Sequence, residues 1–120
     1  MTTHQTQPRT SKTCGHYCLA MLADVPVEKV VAIIGHRRGT TKNEILKAAA
    51  RLGLRPVSMR WQLPSEHDTL PTKAIVGTRR KHRKSGHWCC FVDGVYHDPA
   101  EREAGKIGQN DEIVCWMEFK

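Results

Sequence analysis

Cys14 and Gly15 stand at the head of an apolar segment, and Cys18 follows four residues after Cys14. Further along, His87 comes straight after the small pair Ser85-Gly86, and Asp98 lies in the stretch "VYHDPA" beyond an Asp93-Gly94 turn. A thiol, an imidazole and a carboxylate in that order are the parts of thiol-based acyl transfer. The thiolate attacks, the imidazole holds or moves the proton, and the carboxylate fixes the imidazole. A helix beginning at Cys14 aims unpaired backbone N–H groups and the positive end of its dipole at the sulfur, which favours the thiolate. Gly15 is expected to let the backbone come close to a substrate. Taken singly, each residue also has a plain reading: Cys14 a small core side chain, His87 a hydrogen-bonded strand histidine, Asp98 a turn residue. Their combination points to chemistry.

The elements that must position these residues divide into helices first and strands second. A first helix is expected over residues 14–23, with Cys18, Leu19 and Leu22 on one apolar stripe, so that Cys18 reads as core. His16 is expected at the surface or rim. Asp24-Val25-Pro26 breaks that helix, and Pro26 suits the first turn of a second one. There Val27, Val30, Val31 and Ile34 follow helical spacing up to Gly35. Thr41-Lys42-Asn43-Glu44 has the form of a capping box for a third helix, with Ile45, Leu46, Ala49 and Leu52 on its buried face and Gly53 at its end.

Strand patterns follow at residues 55–61, 73–77, 87–92, 94–97 and 112–119, with a polar connection over residues 62–71. Period-2 geometry sets His87, Cys89 and Phe91 on one face, and Trp88, Cys90 and Val92 on the other. If residues 87–92 and 94–97 pair as a hairpin, Asp98 falls near the start of the strand that carries His87, and His97 points to the opposite face. Cys89, Cys90 and Cys115 are expected to pack the sheet, and Trp61 and Trp116 to be core or cleft wall. The expected fold class is α+β, with N-terminal helices packed on a small antiparallel sheet. It is read as one domain over residues 1–120, with residues 1–10 a partly flexible arm.

The segments "TCGHYCLAML" and "GHWCCFVDGVYHDPA" resemble the papain-like cysteine peptidases, most closely the bacteriocin-processing, double-glycine leader peptidase-like branch and its small stand-alone relatives. The resemblance runs from about Gln7 to Pro99, and its middle is not specific. It implies a papain-like fold, with Cys14 as nucleophile, His87 as general base and acid, and Asp98 orienting His87. It also implies a glutamine upstream of the cysteine whose amide serves the oxyanion hole. Gln7 and Gln5 are the candidates, and Gln7 lies one residue further from the cysteine than the family spacing. The implied activity is hydrolysis of a peptide or peptide-like amide. The family's leader peptidases are usually fused to transporters, and with no transporter segment in this sequence, double-glycine specificity is not carried over.

The chain has 120 residues and a formal charge of +7, which suits an acidic peptide, nucleic acid or an anionic surface without choosing among them. The run "RRKHRK" at residues 79–84 stops just short of His87. It reads either as a solvated loop or as a basic mouth that draws in an acidic peptide. No aromatic residue interrupts it, so a base-stacking platform for nucleic acid is not indicated. A polar start and no apolar run of membrane length lead to the expectation of a cytoplasmic protein with no membrane partner. Five cysteines without a secretory signal are expected as reduced thiols. Cys14, His16, Cys18, His87, Cys89 and Cys90 supply zinc-type ligands, but the Cys-x₂-Cys spacing is missing and Cys89 and Cys90 point to opposite faces. No metal or cofactor is therefore expected. The rival from another class is a catalytically weak or inactive binding or inhibitor module that keeps the fold and uses the basic loop to engage an acidic protein or nucleic acid.

Overall fold

The computed structural model describes residues 3–9, 11–58, 60–62, 73–80, 86–102, 104–105 and 111–120. Three helices precede a four-stranded antiparallel sheet, so the chain is α+β. Helix α1 (Cys14–Ala23) ends where Asp24 takes a left-handed conformation, φ 55°, with its N–H bonded to the Ala20 carbonyl. Helix α2 (Val27–Ile34) starts after Pro26 and stops at Gly35, φ 89°, a geometry that costs glycine little. Helix α3 (Lys42–Arg51) begins with the expected capping box: Glu44 N–H donates to Thr41 Oγ1 at 3.2 Å, and Thr41 N–H to Glu44 Oε1 at 3.0 Å.

Helix α1 differs from the single stripe expected of it. Cys14, Gly15, His16 and Cys18 through Leu22 are all buried. The segment carries no charged residue, and a helix without a polar face is stable only when neighbours cover it nearly all round. It lies between α2, α3 and the sheet.

Strands β1 (Lys73–Arg80), β2 (Gly86–Val92), β3 (Val95–His97) and β4 (Asp111–Glu118) are ordered β3-β2-β1-β4. Ile75, Cys90, Val92 and Met117 face the helices and join Leu19, Met21 and Ile45 in the main core. Ala74, Val76 and Trp116 form a smaller cluster with Phe91 on the other face. Strand β1 runs past the expected residue 77 because Thr78 and Arg79 still pair with both neighbours, with a register shift against β4 between Gly77 and Thr78. A Cβ at Gly77 would lie 2.6 Å from the Cys115 sulfur, so only glycine allows that approach.

Among the described residues of 55–61 no strand forms, and isolated bridges join Pro56 to Phe119 and Gln62 to Trp116. Pro56 has no N–H to give a ladder, which limits pairing there. Most of the polar connection, and the basic run beyond Arg80, lie outside the described residues.

The β2–β3 hairpin turns through Asp93 and Gly94, both at positive φ (52° and 78°), the two-residue geometry that matches strand twist. Its register sets Cys90 opposite His97. The N-terminal arm lies along the chain that follows β3. Gln7 N–H donates to the Pro99 carbonyl at 2.8 Å, Thr6 Oγ1 to the Glu101 carbonyl at 3.0 Å, and the His4 ring stacks on His97.

Candidate active site

Strand β3 has three residues and ends at His97, whereas β2 continues back to Gly86. Backbone N–H groups of alternate residues point to the same side of a strand. Val92 and Cys90 meet β3 on that side, and Trp88 is the next residue of the series with no β3 residue left to face. The start of α1 fills the gap, and Trp88 N–H donates to the Cys14 sulfur at 3.4 Å. No side chain caps α1, which leaves the N–H groups of its first turn available to an anionic group. Cys14 is 9% exposed.

His87 opens β2, and its Nε2 hydrogen-bonds Asp98 Oδ1 at 2.6 Å. Because Cys90 faces His97, Asp98 arrives one step further along, on the face that carries Cys89 and His87. The Ala100 N–H also donates to Asp98 Oδ1, at 2.8 Å, and fixes the carboxylate. With Nε2 engaged, Nδ1 is the ring nitrogen left for Cys14.

The charge states follow from these contacts. Burial alone would lower the His87 pKa, but hydrogen bonds to Asp98, Cys14 and Cys89 outweigh it, and the value is pushed up to about 12. Burial alone would raise Asp98, but the hydrogen bond and charge of His87, with the Ala100 N–H, hold it below the ordinary carboxylate range. Imidazolium and carboxylate therefore stand as an ion pair, with the thiol of Cys14 beside the cation.

Cys14, His87 and Asp98 are thus brought together. Gln7 is placed differently from the expected oxyanion donor. Its Nε2 donates to the Ser11 carbonyl at 3.0 Å and lies 3.4 Å from Ser11 Oγ, while its Oε1 is buried without a partner among the described residues. The backbone of Gln7 is held by Pro99, and the chain then turns through Pro8 to Ser11, so the amide folds back onto its own arm. Gln5 contributes a backbone N–H to the Met21 sulfur at 3.3 Å.

Two residues of the helix start play other parts than expected. Gly15 faces packing rather than substrate: a Cβ there would lie 2.2 Å from Thr40 Oγ1 and 3.2 Å from Trp88 Cδ1. Gly15→Ala is expected to cost about 2 kcal/mol despite alanine's better helix propensity. The check is the urea midpoint, and an unchanged midpoint would mean that Thr40 swings clear. His16 is fully buried rather than at the rim, and its Nε2 donates to the His36 carbonyl at 2.7 Å. Burial lowers its pKa, so the ring is a neutral tie between α1 and the α2–α3 connection. Cys18 lies in the core at 0% exposure, as expected.

Cys89, one of the zinc-type ligands that the sequence offers and expected to pack the sheet, stands beside the His87–Asp98 pair. It is fully buried, and its sulfur lies with a ring nitrogen of His87 and a carboxylate oxygen of Asp98, all within 4.8 Å of one another. The signal for it was present in the shared face of residues 87 and 89. Among the described residues this is the only group of three such ligand types; His16, Cys18 and Cys90 do not join it.

No family model and no curated protein matches this chain. A pocket of about 140 Å³ lined by Pro8, Ser11, Thr13, Tyr17 and Arg37 adjoins the helix start that carries Cys14. A larger one of about 390 Å³ lies between α2 and α3, and no thiol or imidazole is among its described lining residues. Trp61 packs at a tilt against Trp88, ring centres 5.3 Å apart, and Trp88 Nε1 donates to the Thr40 carbonyl at 3.1 Å. These contacts hold the strand that carries His87 against α1 and the loop before α3.

Proposed function

We propose that the chain is a small papain-like cysteine peptidase or amidase that acts through Cys14, His87 and Asp98. The observation that carries this reading is the 2.6 Å bond from His87 Nε2 to Asp98, which leaves the other ring nitrogen for a thiol at an uncapped helix start. In the reaction the Cys14 thiolate attacks an amide carbonyl carbon, and the charge that develops on the oxygen meets the free N–H groups of the first turn. His87 gives its proton to the departing amine, and a thioester remains on Cys14. His87 then takes a proton from water, the hydroxide attacks the thioester, and the carboxylic acid leaves as the thiolate and the imidazolium are restored. Asp98 keeps the ring in one orientation throughout.

The net charge of +7 favours an acidic peptide or protein as substrate. All five cysteines are free thiols, which suits a reducing, cytoplasmic setting. No described helix is long and apolar enough to cross a membrane.

The test is selective alkylation. In the native protein iodoacetamide should modify Cys14 at least about tenfold faster than any other cysteine, because the thiolate rather than the thiol reacts. The comparison thiols are Cys18, Cys89 and Cys90 at 0% and Cys115 at 5% exposure, followed by peptide mass spectrometry. Equal rates at Cys14 and Cys115 would overturn the enzyme reading. The position of the Gln7 amide favours a second reading, a module of the same fold with weak turnover or none. It predicts fast labelling of Cys14 without cleavage of any peptide in an acidic library.

A further inference from the structure

We infer that His87, Cys89 and Asp98 form a binding site for a thiophilic divalent cation of the zinc type, and that filling it silences Cys14. The second half of this statement rests on the peptidase reading, and the first half does not. His87 and Cys89 are two apart on β2 and so share a face, and the hairpin register brings Asp98 opposite Cys89. Nitrogen, sulfur and carboxylate oxygen are the three donor types that zinc takes, in a site with three protein ligands and one open position.

The three donor atoms lie within 4.8 Å of one another. In a tetrahedral zinc site the separations are about 3.3–3.6 Å, from bond lengths of about 2.0–2.3 Å. Side-chain rotations that open the 2.6 Å contact between His87 and Asp98 and draw the Cys89 sulfur in reach those separations. Two of the ligands already have outer partners that hold them: the Ala100 N–H on Asp98 Oδ1 at 2.8 Å, and Thr78 Oγ1 at 3.9 Å from the Cys89 sulfur. Cys89 and Asp98 are buried, while the His87 side chain is 26% exposed, so the cation enters past the ring and its fourth position faces outward.

The cation takes the place of the proton that His87 and Asp98 share. Cys89 gives up its thiol proton to solvent and no electron is transferred. With Nε2 taken, the ring keeps its Nδ1 proton but is no longer an imidazolium beside Cys14 and cannot accept a further proton, and Asp98 no longer orients it. Inhibition follows although the cation never touches the nucleophile. This separates the site from the commoner alternative of a cation held between Cys14 and His87.

The test uses the full chain with cobalt(II) as a visible substitute for zinc. Cys14→Ser protein should bind one equivalent and show a thiolate-to-cobalt charge-transfer band, and zinc should remove that band. Cys89→Ser should lose the band and bind zinc at least about tenfold more weakly. Thermal melting reports whether each variant folds. If Cys89→Ser does not fold, Asp98→Asn serves instead and should keep the band with at least about tenfold weaker binding. A band lost in Cys14→Ser, or binding as tight in Asp98→Asn as in the unaltered protein, overturns the site. Zinc should also slow Cys14 alkylation in the unaltered protein and not in Cys89→Ser. Slow alkylation of Cys14 in the presence of a chelator would sink the peptidase reading while the cobalt band still tests the metal site on its own.

Discussion

His87→Ala should slow alkylation of Cys14 about a hundredfold or more at neutral pH. The contact from Trp88 N–H to the sulfur at 3.4 Å is made by backbone and survives the substitution. What is lost is the imidazolium beside the thiol, held charged by Asp98 with a pKa pushed up to about 12. That cation persists across the whole neutral range, so the rate difference between the two proteins is read there. The measurement is the second-order rate of iodoacetamide labelling at Cys14 across pH 6 to about 9, a range that brackets ordinary histidine and cysteine titration. A variant that labels as fast as the unaltered protein would show that the two side chains do not act together.

Asp98→Ala should be the most costly single change to stability at the site, about 3 kcal/mol. Its carboxylate is only 4% exposed and accepts from both His87 and the Ala100 N–H. Truncation leaves a half-buried imidazole and a backbone donor without their partner. The cost should depend on pH in a defined way. The His87 pKa is raised, so its share of the stability is complete below its ordinary 6.5 and drains away as pH climbs toward about 12. The Asp98 pKa is lowered, so its share is complete above its ordinary 3.8 and is lost as pH falls below that value. The gap in melting temperature between the two proteins should therefore be widest between pH 3.8 and 6.5 and narrow on either side. At its widest it should be on the order of 10 °C. A gap that stays constant with pH would mean that the pair is not ionised.

The parts of this arrangement that could be read from the sequence are those set by local chemistry. Thr41 and Glu44 announce their own capping box, and Asp93-Gly94 forces a two-residue turn that places Asp98 near His87 by register alone. The parts that could not be read depend on distant chain. Gly15 is glycine because Thr40 and Trp88 arrive from elsewhere, and His16 is buried because the His36 carbonyl receives its N–H. Gln7 stands where the family resemblance points, but its amide goes to Ser11, and only the path of the arm past Pro99 explains that. Residues 55–61 alternate like a strand, and nothing local shows that, among those described, Pro56 alone forms a bridge, to Phe119 just past β4. Cys89 lies between these cases: its face was legible, and its closeness to both His87 and Asp98 was not.

The shortness of β3 has a consequence for anyone who would rebuild this hairpin. The chemistry occupies the space of strand residues that are not there. Extending the ladder by two further residues would hand Trp88 N–H a carbonyl, evict the sulfur from its seat and press the head of α1 off the sheet. Hairpin length is in effect the tuning dimension of the site, and redesigns that tidy the ragged edge by completing the ladder should gain a more regular sheet and lose the thiol's place in it.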